Sequence, residues 1–358
     1  LSIGDDIRKD DDGNIISCCH CGSRSIHKSG FLYRANTKKQ QWFCTACGRK
    51  TVKPTIVEKS PFKVEEIDPD HIPIEELIKY RQKQYKIKKI SKESKKLIRI
   101  DINMNGPIGI AHFGDPHVDD DGTDISQILY YMNMINKTDG MFAGNLGDIQ
   151  NNWIGRLASL YGQQSTSAKE SWRLTEYFVN KLNWLYLVAG NHDVWSGDGD
   201  PLDFIMRDHQ GLYEKFGARM KLVFPNGKEI IINARHTFKG NSIWNTAHGV
   251  SRAAQTGWAD HILTCGHTHV SGYQVLKNPS NGLISHALQV ASFKIMDSYA
   301  DKLGLDDKNI FNCPVTIIDP QYDDDDNRLI TTIFNPQEGC EFLNYKREKW
   351  KLKNKEDK

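Results

Sequence analysis

Apolar residues come in short, regularly interrupted runs through the middle of the chain: GPIGIAHFG (106–114), MFAGNLG (141–147), NWLYLVAG (183–190), EIIINARH (229–236), HILTCG (261–266), HALQVAS (286–292) and PVTIIDP (314–320). Apolar runs of this length, bounded by Gly, Pro, Asn and Asp, predict buried strands. Between them the period changes. Asp124–Lys137 places Ile125, Ile128, Leu129, Met132 and Ile135 on one helical face. Ser167 and Glu170 form a capping box ahead of a second helix through Trp172, Phe178 and Leu182. Strands alternating with helices predict a layered α/β domain over 101–340.

The flanks follow other patterns. Within residues 1–56, GFLYR (30–34) and QQWFC (40–44) read as two strands around the polar turn Asn36-Thr37-Lys38-Lys39. Pro54, Pro61, Pro69 and Pro73 punctuate an extended stretch that begins at 51, and residues 57–100 form a linker in which a helical composition follows it. From 74 to 99 ten basic residues stand against three acids, while Leu77, Ile78, Tyr80, Tyr85, Ile87 and Ile90 supply a narrow packing stripe. Asp323–Asp326 is expected in a turn between strands. Residues 341–358 read as a basic tail, frayed after Lys346.

Composition excludes some classes. With 358 residues and 39% hydrophobic content, a packed core is available and general disorder is excluded. No apolar run approaches the ~18 residues of a membrane helix, so no membrane partner is expected. The acidic opening lacks a secretory apolar segment, which predicts a cytoplasmic protein. The chain begins with Leu1 rather than Met, so the numbering is expected to start after a removed segment. A net charge of +2 says little about partners; its local distribution says more.

Five of the eight cysteines lie in the first 47 residues, which favours a reducing compartment and metal binding over disulfides. Cys18 with Cys21 and Cys44 with Cys47 make two C-x-x-C pairs, each followed by a glycine that permits the positive φ of a tight turn. Four such thiolates suit one structural zinc, the layout of a zinc ribbon, with Cys19 and His20 inside the first turn read as spectators rather than ligands. The ribbon interleaves Lys28, Arg34, Lys38, Lys39, Arg49 and Lys50 with Phe31, Tyr33, Trp42 and Phe43. That mixture suits nucleic acid ahead of protein docking; the plainer reading is that the aromatics form the ribbon's own small core and the lysines solvate it. Lys86, Lys88 and Lys89 of the basic helix extend the same expectation. CCHCGSRSIHKSG and QQWFCTACGRK resemble the zinc ribbons of transposases and other mobile-element DNA-binding proteins.

Polar ligand types recur where the apolar runs end: Asp115-Pro116-His117, Asp148, Asn191-His192-Asp193, His236 and His267-Thr268-His269. Carboxylate, imidazole and amide groups at strand ends are what a dinuclear metal site requires. Alternate residues in D-x-H and H-x-H project to one side and can reach one metal or bridge two. Gly114, Gly147, Gly190 and Gly266 allow sharp turns out of the strands. For the fourth element His236 is preferred over His248 and His261, because it directly follows a strand.

In this order GDPH, GD, GNHD, a lone His and GHTH resemble the five-part signature of the calcineurin-like metallophosphoesterases, across roughly two hundred residues. The resemblance implies a four-layer α/β/β/α sandwich. It implies two divalent metals, with Asp115, His117 and His269 holding the first and Asn191, His236 and His267 the second, bridged by Asp148. Mixed nitrogen and oxygen ligation suits manganese, with iron or zinc as alternatives. His192 is expected beside the substrate as an acid, with Asp193 orienting its imidazole. The expected reaction is phosphoester hydrolysis by a metal-bridging hydroxide. Ser/Thr phosphatases of the family continue the second element as GDxVDRG. Here Ile149-Gln150-Asn151-Asn152 follows Asp148, so that subgroup is disfavoured. NNWIGRLASLYGQQST and GDPHVDDDGTD look closest to phage and prophage members, whose host cytoplasm would then be the location. Arg156 is placed to reach a phosphate, and Trp153, Trp195 and Trp244 stand near site loops, where base stacking competes with ordinary burial. The preferred expectation is a nuclease acting on DNA, or less readily RNA, brought to its polymer by the ribbon. The alternatives are a phosphatase with a protein-docking ribbon, and a non-catalytic phage structural or binding protein retaining the site.

Overall fold

The computed structural model describes residues 9–35, 37–56, 73–94, 96–194, 199–296, 304 and 308–356. The linker expectation for 57–72, Trp195, Lys95 and the Arg156 side chain lie outside the described residues. The chain divides into two units, Leu1–Arg81 and Gln82–Lys358.

In the first unit, strands β1 (Ile16–Ser17), β2 (Ile26–Arg34), β3 (Thr37–Cys44), β4 (Lys50–Thr51) and β5 (Thr55–Ile56) form two small antiparallel sheets, β2-β3-β4 and β1-β5. Among the described residues their core is Ile16, Cys18, Ile26, Trp42 and Cys44. The ribbon's aromatics therefore divide: Trp42 is core, whereas Phe31 and Tyr33 are exposed. Helix α1 (Ile74–Ser94) spans the division between the units. Its expected packing stripe is not buried, since Leu77, Ile78, Tyr80, Tyr85, Ile87 and Ile90 are all exposed.

The second unit holds β6 (Ile98–Asp101), β7 (Ile108–Phe113), α2 (Ile125–Lys137), β8 (Met141–Asn145), α3 (Ala168–Asn180), β9 (Trp184–Ala189), α4 (Pro201–Met206), β10 (Leu212–Lys215), β11 (Gly217–Val223), β12 (Glu229–Arg235), α5 (His248–Thr256), β13 (Ile262–Cys265), β14 (Gly272–Lys277), β15 (Ile284–Gln289), β16 (Val315–Ile318), β17 (Ile330–Ile333) and α6 (Pro336–Glu356). A 3-10 helix covers Gly155–Gln163. The strands form two mixed six-stranded sheets, β10-β9-β8-β7-β16-β17 and β14-β15-β13-β12-β11-β6. Strands β7, β8, β9 and β10 run parallel, as do β12, β13 and β15.

Strand β7 shows why these runs lack polar alternation. Ile108 and Ile110 join a cluster with Met220, Ile232 and Ile262 of the other sheet. Ala111 and Phe113 point the opposite way, into a cluster with Ile128 and Met132 of α2, Phe178 of α3 and Leu343 of α6. Both faces are covered, so the strand reads as continuously apolar. Val250 of α5 packs with Leu263 and Ala287 on the second sheet.

Helix α2 is capped by Asp124, which accepts from the Gln127 N–H, and α3 carries the expected capping box. Leu129, assigned above to the buried face of α2, is exposed. The expected boundaries also shift. Strand β6 belongs to the second sheet, so the layered unit takes in residues before 101. Residues 341–356 are not a frayed tail but continue α6, where the Arg347 guanidinium donates to Pro107 O at 2.7 Å and to Asp139 at 2.9 Å. The acidic run Asp323–Asp326 does lie between strands, β16 and β17. Among the described residues no helix is long and apolar enough to cross a membrane.

Candidate metal centre

The ribbon cysteines converge. Cys18 and Cys47 Sγ are 3.7 Å apart, as are Cys21 and Cys44, and all four lie within 4.8 Å of one another. Sulfurs at ~2.3 Å from a tetrahedral zinc stand ~3.8 Å apart, so the set could hold one structural zinc. Gly22 and Gly48 take the expected positive φ, at 72° and 69°. The His20 N–H donates to Cys18 Sγ and draws that thiol down to about 7, while, against the Ser23 N–H, burial and the neighbouring thiols push Cys21 up to about 12. Cys19 stands apart, bonded through Sγ to Thr51 Oγ1 at 3.3 Å.

In the second unit, the five polar elements gather at the carboxyl ends of five strands. Asp115 and His117 follow β7, Asp148 follows β8, Asn191 and His192 follow β9, His236 follows β12, and His267 and His269 follow β13. The first three strands belong to one sheet and the last two to the other. The loops interlock through their backbones: the His117 N–H donates to Asp148 O at 3.1 Å and the Gly266 N–H to His236 O at 3.1 Å. Ser292 Oγ donates to Asp115 O at 2.7 Å.

Two groups of donors result. In one, His117 Nε2 is 3.3 Å from His269 Nε2, and His269 Nε2 is 3.6 Å from Asp115 Oδ2. In the other, His236 Nε2 lies 2.9 Å from Asn191 Oδ1, 2.9 Å from His267 Nδ1 and 3.1 Å from Asp148 Oδ2. Donors at right angles around a cation with ~2.1 Å bonds stand ~3.0 Å apart, so the spacings of the second group fit shared coordination. Asp148, His236 and His267 by themselves could hold a metal. The His236 Nδ1–H donates to Leu146 O at 2.8 Å, which leaves the Nε2 lone pair for a ligand. Asp115 Oδ1 and His117 Nδ1 are buried with no hydrogen-bond partner. For Asp115, that is the behaviour expected of a carboxylate oxygen shaped for a cation.

The backbone carries the same signature. Eight non-glycine residues among those described have positive φ, and five are predicted ligands: Asp115, His117, Asp148, His267 and His269. Strain of this kind persists only where the surroundings over-determine it. The glycines act mostly through space rather than turn angle. Gly147 does take φ +109, but at Gly190 a Cβ would stand 2.1 Å from Asp148 Oδ1 and at Gly266 2.6 Å from Asp115 Oδ1.

Electrostatics set the protonation. Burial pushes Asp115 well above the usual carboxylate range, helped by neighbouring Asp148. Burial opposes ionisation of Asp148 as well, yet the hydrogen bond and charge of His236 hold it below that range. Burial likewise disfavours a charged His236, but Asp148 beside it lifts it to about 9. Burial and the adjacent His269 keep His117 well below the ordinary histidine value. A cation in reach of the same atoms would take the place of these protons.

His192 sits beside the ligands. Its Nδ1–H donates to Asn151 O, its N–H donates to Asp148 Oδ1 at 2.9 Å, and its Nε2 is 3.9 Å from Asp148 Oδ2. The expectation that Asp193 orients the imidazole is corrected. Asp193 accepts the Ile149 N–H at 3.0 Å and the Gly190 N–H at 2.8 Å, bracing two ligand loops against each other. Asn151 holds the ring, and the Asn152 side-chain amide donates to His192 O at 2.8 Å. Trp153 meets the His192 ring edge-on at 5.3 Å, and Lys294 lies 5.9 Å from the Trp153 ring while pairing with Asp120 at 3.0 Å. Asn151, Asn152 and Lys294 were missed in the sequence. The adjacent amides straight after GDIQ were a usable signal; Lys294, distant along the chain, offered none. His261 is elsewhere, bonded to Asp324 and Ile231, and is not a ligand. His248, the other competitor, opens α5 and joins neither donor group. Trp244 is exposed rather than core, whereas Trp153 is partly buried.

Compared with known proteins, the chain matches no family model and no curated protein sequence. Among solved structures it is similar to a hypothetical protein from Thermus thermophilus, at 11% identity and a TM-score of 0.35, covering 63% of this chain and 98% of that one.

Proposed function

We propose that the chain is a dinuclear-metal phosphodiesterase of the calcineurin-like metallophosphoesterase type, built as a four-layer α/β/β/α sandwich and acting on nucleic acid. The single observation that carries this reading is the meeting of two donor groups at five strand ends, with His192 beside them and Asp148 adjoining. The interlocked sheets and helices support the layered architecture, and the four-cysteine ribbon with its basic surroundings supports a polyanionic substrate, DNA ahead of RNA.

The chemistry supplied by two bound divalent cations, manganese by preference, is activation of a water nucleophile and neutralisation of charge in an in-line displacement at phosphorus. Asp115, His117 and His269 would hold one and Asn191, His236 and His267 the other, with Asp148 shared. His192 supplies the proton for the leaving oxygen. Its Nδ1–H is committed to Asn151 O, so Nε2 is the atom that gains and gives the proton, and a protonated ring finds the Asp148 carboxylate 3.9 Å away. Asp193 and Asn152 keep that loop fixed.

The test is manganese-dependent cleavage of plasmid and of 5′- and 3′-labelled single-stranded DNA by wild type, Asp148→Ala and His192→Ala. Cleavage abolished by Asp148→Ala, and reduced roughly 10²–10⁴-fold by His192→Ala with metal content retained, supports the reading. Turnover of p-nitrophenyl phosphate without cleavage of any nucleic acid would replace the nuclease with a phosphatase.

A further inference from the structure

The ribbon concentrates charge that the whole chain lacks. From Gly13 to Val57 there are eight Lys and Arg residues and no acid, in a chain of net charge +2. Within it β2 and β3 pair from Ile26 opposite Cys44 outward to Arg34 opposite Thr37, with a register shift between Lys28 and Phe31. Among the described residues, only the inner end of this arm has a core, through Ile26, Trp42 and Cys44. Beyond it Phe31 is 48% exposed and Tyr33 69% exposed. Two apart on one strand, they share a face and stand ~6.7 Å from each other along it, about two base-stacking intervals. Lys38 is paired opposite Tyr33, and its Nζ lies 4.1 Å from the Phe31 ring and 6.0 Å from the Tyr33 ring.

A two-stranded arm without a core beneath it is only marginally stable in water. Bare rings flanked by cations call for a ligand that offers flat apolar faces and negative charge together. Duplex DNA hides its base faces and presents edges and phosphates, whereas a single strand offers both faces and backbone.

We propose that the outer β2–β3 arm is a docking platform for single-stranded nucleic acid, with Phe31 and Tyr33 stacking on bases and Lys38 meeting phosphate. This deepens the nucleic-acid reading above and rests on it for the polymer, but not for the chemistry. The probe is a fluorescein-labelled thymidine 20-mer, compared with a matching duplex by anisotropy, using the full chain in zinc-containing buffer without manganese. The single strand is expected to bind more tightly than the duplex. Phe31→Ala and Tyr33→Ala should each weaken it roughly fivefold to hundredfold with zinc content unchanged. Lys38→Ala should flatten the log–log salt dependence by about 0.7. Equal or tighter duplex binding, or a double aromatic variant that binds as wild type does, overturns the platform. Manganese-dependent hydrolysis of bis(p-nitrophenyl) phosphate by the same preparations separates the two claims. Retained hydrolysis with unaltered oligonucleotide binding sinks the platform alone, and absent hydrolysis with aromatic-dependent binding sinks the catalytic reading alone.

Discussion

Gly190→Ala perturbs the centre at its tightest contact while adding one methyl group. The new Cβ would stand 2.1 Å from Asp148 Oδ1 and 2.6 Å from the Asp148 backbone nitrogen. Carbon and oxygen not bonded to each other keep about 3.3 Å, so the carboxylate or its loop must retreat by about 1 Å. Gly190 has no positive φ, so alanine brings volume and no torsional strain. Overpacking of this size costs about 1–3 kcal/mol, and the Tm should fall by a few degrees. The functional loss should be larger. Metal donors tolerate about 0.2 Å of displacement, and a 1 Å misplacement near reacting groups costs about a hundredfold in rate. The assay is manganese-dependent hydrolysis of bis(p-nitrophenyl) phosphate, with bound metal counted on the same sample and folding followed by near-ultraviolet circular dichroism. About a hundredfold lower activity and reduced metal content in a folded protein is expected. A folded variant with full activity and two metals per chain would refute the reasoning.

Other perturbations reach different parts of the chain. His112 and His286 are buried away from the centre, and burial pushes them down to about 3 and about 4. The unfolded chain takes up those protons near pH 6.5, so stability is full above that pH and is lost on acidification until the folded rings titrate. At pH 5 the loss is about 2 kcal/mol for each, since that pH lies about 1.5 units below the unfolded value; identical urea midpoints at pH 5 and pH 7 would contradict this. Cys44→Ser should abolish zinc binding and let the β2–β3 amides exchange rapidly, because five buried residues cannot hold the ribbon without metal. Slow exchange in a zinc-free variant would show that the core suffices. Arg347→Ala strands the buried Pro107 carbonyl, while the exposed Asp139 keeps Lys351, and should cost about 1–3 kcal/mol; an unchanged Tm would mean that α6 is not anchored there.

The ligand types were readable because each stands at the end of an apolar run, where a strand must turn and where chemistry can collect. The paired cysteines were readable for a similar reason, since their spacing is local. Partnership was not. Asp193 adjoins His192 in the chain, yet adjacent residues face opposite ways, and it turns inward to backbone N–H groups instead. The ring is held by Asn151, 41 positions upstream. Leu129 fits the helical period but falls on the edge of the buried arc of α2. Strand β11, with Ala218, Met220 and Leu222 buried in alternation, was missed because its outward positions are polar. The end of α6 looked solvated because lysines dominate it, and a single buried guanidinium leaves no pattern.

The candidate ligands come from both sheets, three strand ends from one and two from the other. Any slip of one β-layer past its partner would pull the donor set apart long before either layer lost its hydrogen bonds. Catalysis would therefore serve as a sensitive gauge of alignment, and bulky replacements at Ile110 or Ile232, far from the ligands, should register there first. Residues on the outer helices carry no such constraint, so lasting sequence drift is expected on the flanks and near-immobility along the seam.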